Sequence, residues 1–171
     1  MATDTTFTER TTAQRPVSTR SPNGVDRAIK ALGGWLARHS VGFLRFNLGL
    51  VFTAFGVLKF IGMSPAESLA VRTLDTLTLG IVADDVALYL TALVETVIGL
   101  TLMTAKFVKT GLVLLAGAMV GIMSPLVLFF AEMFPGDGPT LEAQYIIKDI
   151  VLIAGGMVVA AVTLGARLVT E

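Results

Sequence analysis

Four stretches of this chain run for about 20 residues with hardly a charge, and most of the polar residues collect between them. The stretches cover residues 41–62, 86–104, 111–130 and 145–168. At 1.5 Å per residue, a helix of about 20 residues crosses the ~30 Å hydrocarbon core of a bilayer with all its backbone groups paired internally. The pattern predicts an all-α integral membrane protein: an antiparallel four-helix transmembrane bundle with an interfacial helix after the first span.

Helical periodicity sorts the exceptions within these stretches. In the first, Arg45, Gly49, Phe52, Gly56 and Lys59 share a face, so both charges lie among the small residues that pack helix against helix, leaving Leu48, Leu50, Val51, Val57 and Leu58 for lipid. In the second, Ala92, Glu95 and Gly99 share a face, which points the carboxylate at a neighbouring helix. The third carries Gly117 and Gly121 at GxxxG spacing, suggesting close packing, and Pro125 after Ser124, which predicts a kink. The fourth carries Lys148 and Asp149 in its expected first turn and a small face of Asp149, Gly156, Ala160 and Thr163.

The connecting segments are read from turn and cap chemistry. Residues 1–24 are rich in Thr, Ser, Arg and Pro and read as a disordered tail. Residues 25–40 place Ile29, Leu32, Trp35 and Leu36 opposite Arg27, Lys30 and Arg38, which predicts a basic amphipathic helix on the membrane surface; a flexible basic linker is the alternative. Ser64-Pro65-Ala66-Glu67 has the form of a capped helix start and opens the interfacial helix over residues 65–80. Pro135-Gly136-Asp137-Gly138-Pro139 is a loop. The four-span domain is therefore residues 41–168.

Composition sharpens this picture. With 54% hydrophobic and 15% charged residues, the chain falls outside the soluble globular range, and its balanced charge gives nucleic acid no basic surface. There is no cysteine, and the single histidine, His39, precedes the first span, so iron–sulfur, thiolate, zinc and intramembrane haem chemistry lack ligands. Met103, Met119, Met123 and Met133 read as packing residues. Basic residues concentrate before the first span, at Lys106 and Lys109, and at Arg167, while the other two loops carry Glu67, Asp75, Asp84, Asp85, Glu132, Asp137 and Glu142 against Arg72 alone. The positive-inside bias then puts both termini in the cytoplasm and the protein in the cell membrane.

The candidate chemistry is Glu95. An ionisable group in mid-bilayer must be neutralised, paired or wet, and is a functional candidate by default. Lys59, Lys148 and Asp149 fall at similar depth or nearer the outer boundary, so one expected arrangement is a polar ligand site with Glu95 as its floor. The other has both lysines snorkelling outward and Glu95 bonded to a helix neighbour. A quinone suits a site of the first kind, because its carbonyls need a proton donor and a cationic hydrogen bond. Arg45 reads as a headgroup anchor. No phosphate loop, zinc pattern or nucleophile–base pair occurs, so no catalytic residue is assigned.

The segments Arg45-Phe46-Asn47-Leu48-Gly49, Phe55-Gly56-Val57-Leu58-Lys59-Phe60, Ser64-Pro65-Ala66-Glu67, Glu95-Thr96-Val97-Ile98-Gly99, Ser124-Pro125-Leu126 and the run from Thr140 to Asp149 together resemble the DoxX-like family of bacterial membrane proteins. The Lys59 and Lys148 segments are also similar to the related reactive-chlorine-resistance membrane proteins. Ala143 stands where Gly is expected, and Asp149 where Asn is frequent. The resemblance implies a four-helix bundle in the cytoplasmic membrane, associated with an oxidoreductase partner, quinone chemistry or oxidative stress. A lipid or small-molecule carrier, requiring a homo-oligomer to form a path, and a plain membrane anchor remain as competing readings.

Overall fold

The computed structural model describes residues 23–167, and among these every regular element is helical. The helices are α1 (Gly24–Phe60), α2 (Glu67–Leu77), α3 (Asp84–Thr104), α4 (Val108–Met123), α5 (Pro125–Leu128), α6 (Phe130–Met133), α7 (Leu141–Lys148) and α8 (Ile150–Thr163). Four stretches, Gly24–Phe60, Asp84–Thr104, Val108–Leu128 and Leu141–Thr163, are long and apolar enough to cross a membrane. Phe43, Val113, Val127 and Val151 stay exposed on them, an arrangement that suits lipid and not water. The chain therefore reads as a multi-pass membrane protein. The expected disordered tail falls on residues 1–22, outside the described part, except for Asn23 and Gly24. There the Asn23 N–H donates to Asp26 Oδ2 (3.1 Å) and Gly24 opens α1.

Contacts divide the chain into two units, residues 1–35 and 36–171. In the first, the described residues form helix, with Val25, Ile29, Leu32 and Trp35 exposed along it. The second unit holds the packed core. α1 is one helix in the backbone from Gly24 to Phe60; a lone Gly42 costs a helix only about 1 kcal/mol and no proline intervenes.

The main core joins Leu48 and Phe52 of α1, Ile98 and Leu102 of α3, Leu115 and Met119 of α4, and Val159 of α8. Leu48, expected to face lipid, is instead buried, its methyls lying 3.5–3.6 Å from where a side chain on Gly155 would begin. Between α1 and α3 the backbones nearly touch. A Cβ on Gly49 would lie 2.6 Å from the Gly99 carbonyl oxygen, and one on Gly56 would lie 2.8 Å from that of Ala92. Gly117 and Gly121, by contrast, have nothing within 4 Å, so the GxxxG pair makes no close contact inside the chain.

Two of the long stretches are broken. Pro125 has no N–H to give the Gly121 carbonyl, and the Ser124 hydroxyl donates to that oxygen instead (2.7 Å), so α4 ends and α5 begins at the expected proline. The fourth stretch starts at Leu141, not 145, because the Thr140 hydroxyl caps it by accepting from the Ala143 N–H (3.2 Å). Lys148 and Asp149 consequently lie two turns in, and the helix is interrupted at Asp149. A second apolar cluster, Phe129, Met133, Ala143 and Ile146, forms around these short segments with Leu69 and Met123 packed on it.

The helix expected over residues 65–80 is α2, Glu67–Leu77, and its cap differs from expectation. Ala66 occupies the cap position, and the buried Ser64 hydroxyl has no hydrogen-bond partner among the described residues. The Glu67 N–H turns back to the Ser64 carbonyl (3.3 Å), so Pro65 and Ala66 form a turn ahead of the helix instead of its first residues. Further along α2, Arg72 forks onto Glu132 through two hydrogen bonds of 2.6 and 2.7 Å and lies 3.9 Å from the centroid of the Phe129 ring. This bidentate, stacked geometry pins α2 to the α5–α6 segment.

The Arg72 hydrogen bond holds the Glu132 carboxyl below its ordinary value, its largest cause. A lowered folded value means that the pair contributes its full stabilisation above the unfolded carboxylate range and loses it as pH falls through the lowered value. Once corrected for the intrinsic pH dependence of amide exchange, the protection of α2 should therefore fall on acidification from about pH 7 to about pH 3, and Glu132→Gln should abolish that fall. An α2 whose protection is the same at both pH values would show that the clamp does not hold it.

Candidate functional site

The site is built from one charged residue on each of two helices. Lys59 lies next to the end of α1, on the face that also buries Gly49, Phe52 and Gly56; Glu95 lies in the middle of α3, on the face that buries Ala92 and Gly99. The Lys59 ammonium donates to both Glu95 carboxylate oxygens, at 2.8 and 2.6 Å, and stands 5.9 Å from the Phe55 ring centroid. Lys59 is 4% exposed and Glu95 9%. The alternative arrangement, in which this lysine snorkels outward, does not occur.

Local packing explains the meeting. Gly56, one turn before Lys59, approaches Ala92 and Thr96, the residues on either side of Glu95 along its face and chain. With no Cβ at Gly56 the helices close to backbone contact, and both side chains are then held within reach of one another. Thr53 and Thr96 return their hydroxyls to the carbonyls of Gly49 (2.9 Å) and Ala92 (2.8 Å), so neither competes for the carboxylate. Burying two charges costs several kcal/mol each, and here the mutual hydrogen bonds are the compensation.

No family model, curated protein or solved structure matches this chain. What it does therefore has to be argued from its own geometry.

Of the four residues singled out by sequence, the structure brings Lys59 and Glu95 together. Lys148 is exposed, its ammonium 3.8 Å from the centroid of the Tyr145 ring, and Asp149 is half-buried at the break between α7 and α8. Among the described residues neither bonds to Lys59 or Glu95. Arg45 is half-buried, and its Nε–H has no hydrogen-bond partner among the described residues. Met119 and Met133 are core residues, and Met103 Sδ accepts from the Thr53 hydroxyl at 3.5 Å. Among the described residues, no group of three or more acidic, histidine or cysteine side chains is placed to hold a metal ion.

Two features were not anticipated. One is the Arg72–Glu132–Phe129 clamp, for which the signal was available: Arg72 is the only basic residue in either acidic connection. The other is a cleft of about 660 Å³ between α2 and the start of α3, whose lining includes Ser64, Glu67, Asp75, Asp84 and Asp85. Nothing in the sequence joined Asp84 and Asp85 to α2, because the cleft exists only once the two helices pack.

Proposed function

We propose that this is a DoxX-like protein of the cytoplasmic membrane, a redox-associated or oxidative-stress accessory subunit whose centre is the Lys59–Glu95 pair. It binds a small amphipathic molecule such as a quinone there and works with an oxidoreductase partner. The proposed frame is an antiparallel four-span bundle with both termini cytoplasmic and α2 lying along the outer interface. Support for the antiparallel sense comes from the order of contacts: Gly49 meets Gly99 and Met103, and Gly56 meets Ala92 and Thr96. Support for the orientation comes from the acidic residues around α2 and the start of α3 and the basic ones near the ends of the chain and at Lys106 and Lys109.

The observation that carries the reading is an ion pair buried between apolar helices. A well-packed apolar pair in its place would be as stable or more so, so stability alone does not account for the two charges. An ammonium has three donors and Glu95 engages two, leaving one for a ligand carbonyl, while the carboxyl is the group that exchanges a proton with it. Lys148 and Asp149 belong to this proposal as residues at the rim that a ligand reaches before the pair.

Protein extracted gently with its native lipid should carry a quinone detectable by solvent extraction and mass spectrometry. Glu95→Gln, which keeps an oxygen for Lys59 to bond, should fold and lose most of it. Wild-type protein without any quinone would remove the reading. A second reading, a membrane anchor in which the pair only fixes helix pairing, is favoured by one observation: both Glu95 oxygens are already satisfied within the chain.

A further inference from the structure

The cations of the packed bundle fall into two groups. Lys59, Arg72 and Lys148 each have a partner on the chain, in Glu95, Glu132 and the Tyr145 ring. Arg45, Lys106 and Lys109 form no ion pair among the described residues. The segments that carry them, residues 27–66 and 96–131, contain no Asp or Glu, and neither does the stretch 150–170 that holds α8.

These three cations lie at one end of the helices. A Cβ on Gly49 would come within 2.7 Å of the Met103 backbone nitrogen, and α3 ends one residue later, at Thr104. Arg45 is on the same face as Gly49, one turn earlier, and a helical side chain leans toward its own N-terminus. The arginine therefore reaches past the end of α3, where residues 105–107 turn the chain into α4. Val41 and Leu44 beside Arg45 pack on the same core as Val108, next to Lys109. Of the arginine's nitrogens Nε is enclosed, whereas Nη1 and Nη2 are neither enclosed nor bonded, so the open edge of the guanidinium can be reached from outside. Lys106 and Lys109 are exposed, and Phe107 between them is 79% exposed.

We propose that this end of the bundle is a binding site for the headgroup of an anionic phospholipid. The open edge of Arg45 forks onto the phosphodiester, and Lys106 and Lys109 supply the charge that favours a net anionic headgroup over a zwitterionic one. Phe107 offers the lipid an apolar contact beside its phosphate. A plain headgroup anchor would accept any phospholipid; this site discriminates, because a choline headgroup brings a cation into a place where the chain has three and no carboxylate to meet it. The site requires nothing of the Lys59–Glu95 pair.

The full chain in bilayers of phosphatidylcholine is offered phosphatidylglycerol or phosphatidylcholine carrying the same nitroxide on one acyl chain, and electron spin resonance reads the fraction held against the protein. Phosphatidylglycerol should be held at least about threefold more strongly. Arg45→Gln should bring that ratio close to one, and Arg45→Lys, which keeps the charge without the fork, should fall between. Lys106→Gln/Lys109→Gln, which changes only exposed side chains and leaves the core intact, should at least halve the excess. A ratio near one in the parent protein would overturn the proposal, as would the parent ratio persisting in the arginine and lysine variants. Displacement of the labelled phosphatidylglycerol by about 20 mM inorganic phosphate at constant ionic strength would assign the site to free phosphate and overturn the lipid reading. Glu95→Gln should keep the parent ratio, so failure here and failure of the quinone reading are told apart.

Discussion

Lys59→Met and Glu95→Leu should each destabilise the protein by about 3–5 kcal/mol, while the two together should leave it close to wild type. Each single change strands a charge between α1 and α3, where Lys59 is 4% and Glu95 9% exposed and, among the described residues, the side-chain hydrogen bonds of each go to the other alone. The double change removes both charges and leaves side chains of similar length to fill the space. The coupling is read from a double-mutant cycle on thermal or denaturant unfolding in detergent or nanodiscs. Additive losses, with the double variant worst, would mean that the pair does not act as one unit. The double variant also separates the two functional readings. A protein that merely anchors should still support its cell, whereas a ligand-binding subunit should be stable and inactive. A restored fold with full cellular function would leave the anchor as the sole survivor.

The second large effect is expected at the helix contact that sets up this pair. Gly99→Ala should cost about 3 kcal/mol, because the added methyl meets the Thr53 side chain and backbone N–H and the Gly49 carbonyl oxygen, the last at 2.6 Å. Backbone atoms on a rigid helix cannot turn aside as a side chain can. The helices must separate, and separation also stretches the Lys59–Glu95 hydrogen bonds. Gly56→Ala acts in the same way against Ala92 and Thr96, with contacts of 2.8 and 2.9 Å to their backbone atoms. The control is Gly117→Ala, where nothing lies within 4 Å; removing a helix-interior glycine there should be neutral or stabilise by up to about 1 kcal/mol. Equal effects at Gly99 and Gly117 in thermal unfolding would contradict the close approach of α1 and α3.

These expectations place the sensitive part of the molecule on two helices. Gly49, Thr53 and Gly56 on α1 face Ala92, Thr96 and Gly99 on α3, small residues at the same four-and-three spacing on both. Tight approach without bulky side chains gives van der Waals contact its full extent, which in lipid replaces the hydrophobic effect as the attraction between helices. Elsewhere the short helices α5, α6 and α7 form the second apolar cluster, tied to α2 by the Arg72–Glu132 fork.

Much of this was legible in the chain. The four apolar stretches follow from composition and length alone, because a bilayer admits only segments that pair their own backbone groups. The faces carrying Lys59 and Glu95 were also legible, since helical periodicity fixes which residues of one helix lie together. The proline break at Ser124–Pro125 is local chemistry and was read as such. Helix limits were less legible: the start at Leu141 depends on Thr140 capping, and the failure of the Ser64 cap depends on the turn through Pro65 and Ala66.

What the sequence determined by itself is the set of apolar helices and the side of each helix that carries polar or small residues. Tertiary structure alone decided which charges meet. Lys59 and Glu95 are 36 residues apart and Arg72 and Glu132 are 60 apart, so each partner is chosen by the register between helices and not by spacing along one of them. Lys148 had the same claim on Glu95 in the sequence, and it lies on Tyr145 instead. The register comes from where backbones can touch. Gly49, Gly56 and Gly99 have neighbours that fill their missing side chains, while Gly117 and Gly121 do not, and no local pattern distinguishes the two kinds.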